Sequence, residues 1–213
     1  MAPRRGRGRR ARCPRAHRSL PWQTDTCIGD WHYARGIFES HQYKPAATVI
    51  QRLCDIVSKN GNLLLSVPMR GDGTIDADER RILEDIAAWM ARNGEAIYAT
   101  RPWRTFGEGP TKVGGGMFGE GNAQPFTAQD IRFTTQGGAL YAIALGWPRD
   151  GVMRIQTLAK DSAVAPGAID SVHAVGSGDS LAFMRTRRGL EVKLPEGLAG
   201  APAVAIRIRG AAV

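Results

Sequence analysis

From Trp22 onward the apolar positions fall into short runs whose period changes along the chain, and each change marks an element. Trp22 to Ile28 alternates as a strand does, with Thr24, Thr26 and Ile28 on one side and Asp25 and Cys27 on the other, until Gly29 breaks the run. Asp30 to Tyr43 has no steady period and reads as an aromatic and polar loop. Val49, Ile50, Leu53, Cys54 and Val57 recur at three and four, which predicts a helix entered at Pro45. Lys59-Asn60-Gly61 is expected to end it, with a base in the last turn and glycine past the end. Asn62 to Val67 is nearly continuous in apolar residues, as in a parallel strand buried on both faces, and Pro68 closes it. Gly71-Asp72-Gly73 is a turn, and Asp76 with Glu79 three residues on forms a capping-box pattern before a second helix. Ile82, Leu83, Ile86, Ala87 and Met90 carry its apolar face as far as Asn93-Gly94. The order strand, loop, helix, repeated, is α/β architecture with a parallel sheet.

Past Trp103 the text changes. Glycine and proline thicken from Gly107 to Pro125, and short β-type runs follow at Ile131–Thr134, Ala139–Leu145, Val152–Leu158, Ser171–Val175, Leu181–Arg185, Leu190–Leu194 and Val204–Arg209. Breaks such as Gln136-Gly137-Gly138 and Arg188-Gly189 separate them, and no helical period intervenes, so an antiparallel β-sandwich is expected. The fold class is therefore α/β plus all-β. Its expected divisions are a disordered Arg-rich tail at 1–20, an α/β portion at 21–104 and a β-sandwich domain at 107–213.

Charge adds less than its total suggests. The formal charge is +9, but eight arginines and no carboxylate lie within residues 1–20, so the remainder is close to neutral. A basic arm for nucleic acid is one reading of that tail, which salt-steep binding would reveal. A targeting segment is weaker, because no apolar stretch follows the basic run. The favoured expectation is that these residues are not evolved coding sequence. No apolar run approaches the roughly 18 residues of a membrane span, so no membrane partner is expected. Cys13, Cys27 and Cys54 lack Cys-x-x-Cys spacing, and His17, His41 and His173 are scattered, so neither a metal nor another cofactor is indicated. Gly114-Gly115-Gly116 lacks the Lys-Ser/Thr of a phosphate loop and reads as a linker. Asp72 and Asp76 are assigned to a turn and a cap, and Glu95 is expected to pair with a base such as Arg101.

Several phrases carry a likeness. The run Pro21 to Tyr33, the run Asp55 to Leu65, Gly71-Asp72-Gly73-Thr74-Ile75, Asn93-Gly94-Glu95-Ala96-Ile97-Tyr98 and Arg101-Pro102-Trp103, in that order, resemble the C-terminal part of α-L-fucosidases of glycoside hydrolase family 29. The resemblance implies the last βα units of a (β/α)8 barrel at 21–104, followed by a C-terminal β-sandwich. It also implies retaining hydrolysis of terminal α-L-fucose, with a fucosylated glycan as partner. That chemistry uses two flanking carboxyl groups, which in relatives lie before the matched segment. No catalytic residue is therefore assigned to this chain, which is expected to be an inactive fragment by itself.

Barrel sites gather on the loops after strand C-termini. The resemblance accordingly implies that Trp31 packs on the sugar's apolar face, with Tyr33 and His32 behind it; a tryptophan that only packs the barrel rim is the plainer account. Asp25 either hydrogen-bonds a sugar hydroxyl or serves as a structural carboxylate. Gln23 stands where some relatives have Glu and cannot titrate, so it takes no acid/base role. A non-catalytic carbohydrate-binding or interaction module is the alternative function. Compartment is left open: relatives are often secreted, periplasmic or lysosomal, and no signal peptide is visible.

Overall fold

A computed structural model describes residues 18–112 and 124–210. Most of the Arg-rich segment and Gly114-Gly115-Gly116 lie outside the described residues. Strand β1 (Trp22–Cys27) runs parallel to β2 (Gly61–Ser66), in register from Trp22 opposite Gly61 to Cys27 opposite Ser66. Between them come a short helix α1 (Arg35–Ser40), inside the stretch that reads as loop, and α2 (Ala46–Ser58). Helix α3 (Ala77–Asn93) follows β2, and its start is the capping box the sequence announces. Asp76 Oδ1 accepts from the Glu79 N–H at 2.9 Å, and Glu79 Oε2 accepts from the Asp76 N–H at 3.2 Å.

The end of α2 departs from expectation. Asn60, with φ of 67°, makes the left-handed turn, and Gly61 is already the first residue of β2. Glycine is required there for another reason: a Cβ on residue 61 would lie 2.6 Å from the Trp22 indole. Lys59 does not serve the helix end with its charge. Its backbone carbonyl accepts from Trp22 Nε1 at 2.8 Å, while its ammonium is buried against Asp55. Nor is β2 buried on both faces. Leu64 is 54% exposed, because among the described residues β2 has a strand neighbour on one side alone, and α2 covers one face.

The remaining strands form two antiparallel sheets. Strands β3 (Arg101–Glu108), β4 (Ile131–Gln136), β5 (Ala139–Ala144), β7 (Ser171–Ala174) and β10 (Val204–Arg209) make one sheet in the order β3-β4-β5-β10-β7. Strands β6 (Val152–Ile155), β8 (Phe183–Thr186) and β9 (Gly189–Lys193) make the other, in the order β6-β9-β8. Phe133, Leu140 and Ile206 of the first meet Met153, Leu190 and Val192 of the second in a common core. Trp103 closes it edge-on to Phe133, with ring centroids 5.1 Å apart.

The five-stranded sheet is covered on its other face as well. Ile50, Cys54, Trp89 and Ile97 pack on Tyr141, Ile143, Leu145 and Ala205 in a second core. This is why every residue of β5 is buried. Each fully buried large apolar side chain stabilises by about 1.5–3 kcal/mol, so this face joins the α/β portion firmly to the sheets. Hydrogen bonds reinforce the joint: Gln51 Nε2 donates to Leu145 O at 3.0 Å and Pro202 O at 3.1 Å, and Trp89 Nε1 donates to Ala203 O at 2.9 Å. At its centre, Asp55 pairs with Lys59 at 2.7 Å and with Arg132 of β4 at 2.6 Å.

Candidate functional site

The C-terminal ends of β1 and β2 lie side by side, so the segments that leave them, 28–45 and 67–76, are neighbours. In the first, the Trp31 N–H donates to Asp30 Oδ1 at 2.7 Å, and the indole is 46% exposed. His32 is exposed and Tyr33 half-buried. Arg70 reaches across from the second segment. Its guanidinium lies 5.8 Å from the Tyr33 ring centroid and 5.5 Å from that of Phe38, on α1. Arg70 Nε donates to Tyr33 Oη at 3.5 Å, a long bond that nonetheless raises the guanidinium pKa above its ordinary value. A cation between two aromatic faces holds Tyr33 in place and leaves Trp31 outermost.

Behind this surface a second set of contacts fastens the loop. The Tyr43 hydroxyl donates to Asp76 Oδ2. Burial raises the Tyr43 phenol pKa well above its usual value, and the Asp76 carboxylate adds to the effect. Lys44 Nζ donates to Thr26 Oγ1 at 2.6 Å. His41, in the left-handed conformation at the end of α1, meets Asp78 Oδ2 at 2.6 Å, and Arg81 donates to the other oxygen at 3.2 Å. Four aspartates of this corner are thus engaged, Asp30 with Trp31, Asp72 with Thr74, Asp76 with Tyr43 and Glu79, Asp78 with His41 and Arg81, whereas Glu79 Oε1 is buried without a hydrogen-bond partner. Burial raises the Glu79 carboxyl pKa above the usual range.

Of the four residues expected to contact substrate, Trp31, His32 and Tyr33 share this loop. Asp25 is a half-buried strand residue opposite Leu64, on the side of β1 that carries Gln23 and Cys27. Arg70 and Tyr43 escaped the sequence reading. The signal for Arg70 is its place in Pro68–Ile75, the segment after the second parallel strand, since site loops follow strand C-termini. Glu95 does not pair with Arg101. The 3₁₀ turn Gly94–Ala96 directs it over the sheet, where it meets Arg207 at 2.9 Å, while Arg101 donates to the Thr100 carbonyl. Among the described residues, no group of three His, Cys, Asp or Glu side chains could hold a metal ion, and no helix is long and apolar enough to cross a membrane.

Residues 9–95 match the α-L-fucosidase family, and residues 124–208 match the α-L-fucosidase C-terminal domain; the first match begins inside the Arg-rich segment. Human tissue α-L-fucosidase is 32% identical over 144 residues, which cover 65% of this chain and 27% of that protein. Human plasma α-L-fucosidase is 28% identical over 186 residues, 83% of this chain and 34% of that one. Among solved structures, a Thermotoga maritima α-fucosidase in complex with fucose superposes with a TM-score of 0.68 at 26% identity, covering 90% of this chain and 40% of that one. The chain belongs to the α-L-fucosidase family and corresponds to its C-terminal part. It spans about a quarter of the length of the tissue enzymes it matches.

Proposed function

We propose that this chain is the substrate-contacting C-terminal part of a retaining α-L-fucosidase acting on terminal α-L-fucose of glycoconjugates. Within 21–104, the residues before β3 starts at Arg101 are then the last βα units of a (β/α)8-like catalytic domain, and β3 together with the sheets of 107–213 is a sandwich that supports them. The observation that carries this reading is Trp31: a half-exposed indole on the loop after a parallel strand, in a chain of this family. Its flat face suits the C–H surface and methyl group of a fucosyl residue. Tyr33, held by Arg70, and His32 flank it, and Asp25 lies nearer the floor.

We assign no catalytic couple among the described residues. Retention requires two carboxyl groups about 5–5.5 Å apart, one to attack the anomeric carbon and one to protonate the leaving oxygen. Asp30, Asp72, Asp76 and Asp78 beside the loop are instead engaged in turns, a cap and ion pairs, while Glu79 keeps Oε1 buried without a hydrogen-bond partner. The expected behaviour is weak binding of methyl α-L-fucopyranoside, detectable as a change in tryptophan fluorescence. Trp31→Ala, an exposed change that leaves the fold intact, should weaken binding about tenfold, the scale of one lost aromatic contact. Binding unaffected by Trp31→Ala would remove this assignment.

A further inference from the structure

An open cavity of about 510 Å³ lies where the end of α3 meets the turn after β7, lined among others by Tyr98, Glu95, Arg207, Arg92, Ser177 and Gly94. Helix α3 has 17 residues and begins beside the Trp31 loop, so its two ends are about 25 Å apart. The cavity is therefore one helix length from that loop.

Its lining combines three chemistries. Tyr98 is 66% exposed, yet its ring is laid against the backbone at Gly94, where a Cβ would come within 3.1 Å of the ring carbons. The ring thus forms a supported apolar plate. Beside it, Glu95 Oε1 accepts from Tyr141 Oη at 2.7 Å and from an Arg207 guanidinium nitrogen at 2.9 Å. The carboxylate is fixed by these bonds and held below the usual range, chiefly by the Tyr141 hydroxyl. Arg92 and the Ser177 hydroxyl also line the cavity and can donate.

These features select a ligand class. An inorganic anion would be drawn by the guanidinium groups but would face the charged Glu95. An apolar ligand would desolvate the Arg207–Glu95 pair without replacing its hydration, which is costly. A pyranose meets both demands, because its C–H face covers an aromatic ring while its hydroxyls both donate to carboxylate and accept from guanidinium. We propose that this groove is a binding site for a neutral pyranose residue of a glycan, with Tyr98 as platform and the Glu95–Arg207 pair as hydroxyl reader. The proposal does not depend on the role given to Trp31.

The test is amide-resolved NMR titration of the full chain with methyl β-D-galactopyranoside and methyl α-L-fucopyranoside, with inorganic phosphate as the anionic probe. At least one pyranoside should produce saturable shifts at the Gly176, Ser177 and Gly178 amides, with a dissociation constant on the order of 1 mM. Tyr98→Ala should weaken it about tenfold, and Trp31→Ala should leave it unchanged. Should Tyr98→Ala fail to fold, Ser177→Trp, which fills the mouth from an exposed turn, should abolish the shifts. Four results would overturn the proposal: no saturable shift at these amides with either pyranoside, shifts confined to the Trp31 loop, shifts that survive the folded groove variant, or equal shifts with phosphate. The second would leave the fucoside reading standing.

Discussion

Replacing Asp55 by alanine tests what joins the two halves of the molecule. Asp55, Lys59 and Arg132 are each no more than 2% exposed, and one carboxylate serves two cations at 2.7 and 2.6 Å. The excess positive charge is taken up by π faces and carbonyls. Lys59 Nζ lies 4.8 Å from the Phe106 ring centroid, the Arg132 guanidinium lies 5.2 Å from Phe126 and 5.5 Å from Phe106, and Arg132 donates to the Glu108 and Ile131 carbonyls. Removing the carboxylate leaves two buried cations facing one another, a change that costs about 3–5 kcal/mol where a buried pair is broken from one side. For a domain whose total stability is about 5–15 kcal/mol, that is a large fraction. The expected melting-temperature drop is roughly 10 °C, at about 2–4 °C per kcal/mol for a chain of this size. Urea unfolding of Asp55→Ala against Glu39→Ala supplies the contrast, because Arg35 and Glu39 form a pair whose side chains are 83% and 58% exposed. The exposed pair should contribute less than about 1 kcal/mol. If Asp55→Ala costs no more than Glu39→Ala, the triad does not hold the joint.

Two further outcomes follow from local geometry. Gly61→Ala should destabilise by about 1–3 kcal/mol, the usual cost of overpacking, because the new Cβ meets the Trp22 indole at 2.6 Å; an unchanged urea midpoint would contradict this. Glu95 has a lowered carboxyl pKa, with the Tyr141 bond the first cause. Its contribution to stability is therefore present above the ordinary glutamate value and is lost as pH falls through the lower folded value. With the side chain 42% exposed, the effect should be about 1 kcal/mol or less. Glu95→Gln should accordingly lose less stability than the parent between neutral and strongly acidic pH, and parallel profiles would count against it.

Much of this architecture was legible from periodicity and punctuation. The three-and-four spacing from Val49 to Val57 located α2, the Asp76 and Glu79 pair located the start of α3, and glycine breaks located most strands of the two sheets. Strand β3 was not legible, because Pro102 cannot donate to a ladder and the strand is irregular between Pro102 and Gly107. It survives as an edge strand, where those defects are tolerated. Long-range pairings were also hidden. Asp55 and Arg132 are 77 residues apart, and nothing local distinguishes Lys59 as a buried cation from a lysine serving a helix end. In the candidate site, Trp31, His32 and Tyr33 were visible as one aromatic cluster, whereas Arg70 is a single base in a turn until the parallel pairing of β1 and β2 brings it over Tyr33.

Turnover of a chromogenic α-L-fucoside by the purified 213-residue protein decides whether the chain offers, as we propose, a fucose-contacting surface without a carboxylate couple. Chromophore should be released no faster than with heat-killed protein. Sustained release above that control, and its loss on substitution of any Asp or Glu of this chain, would contradict it.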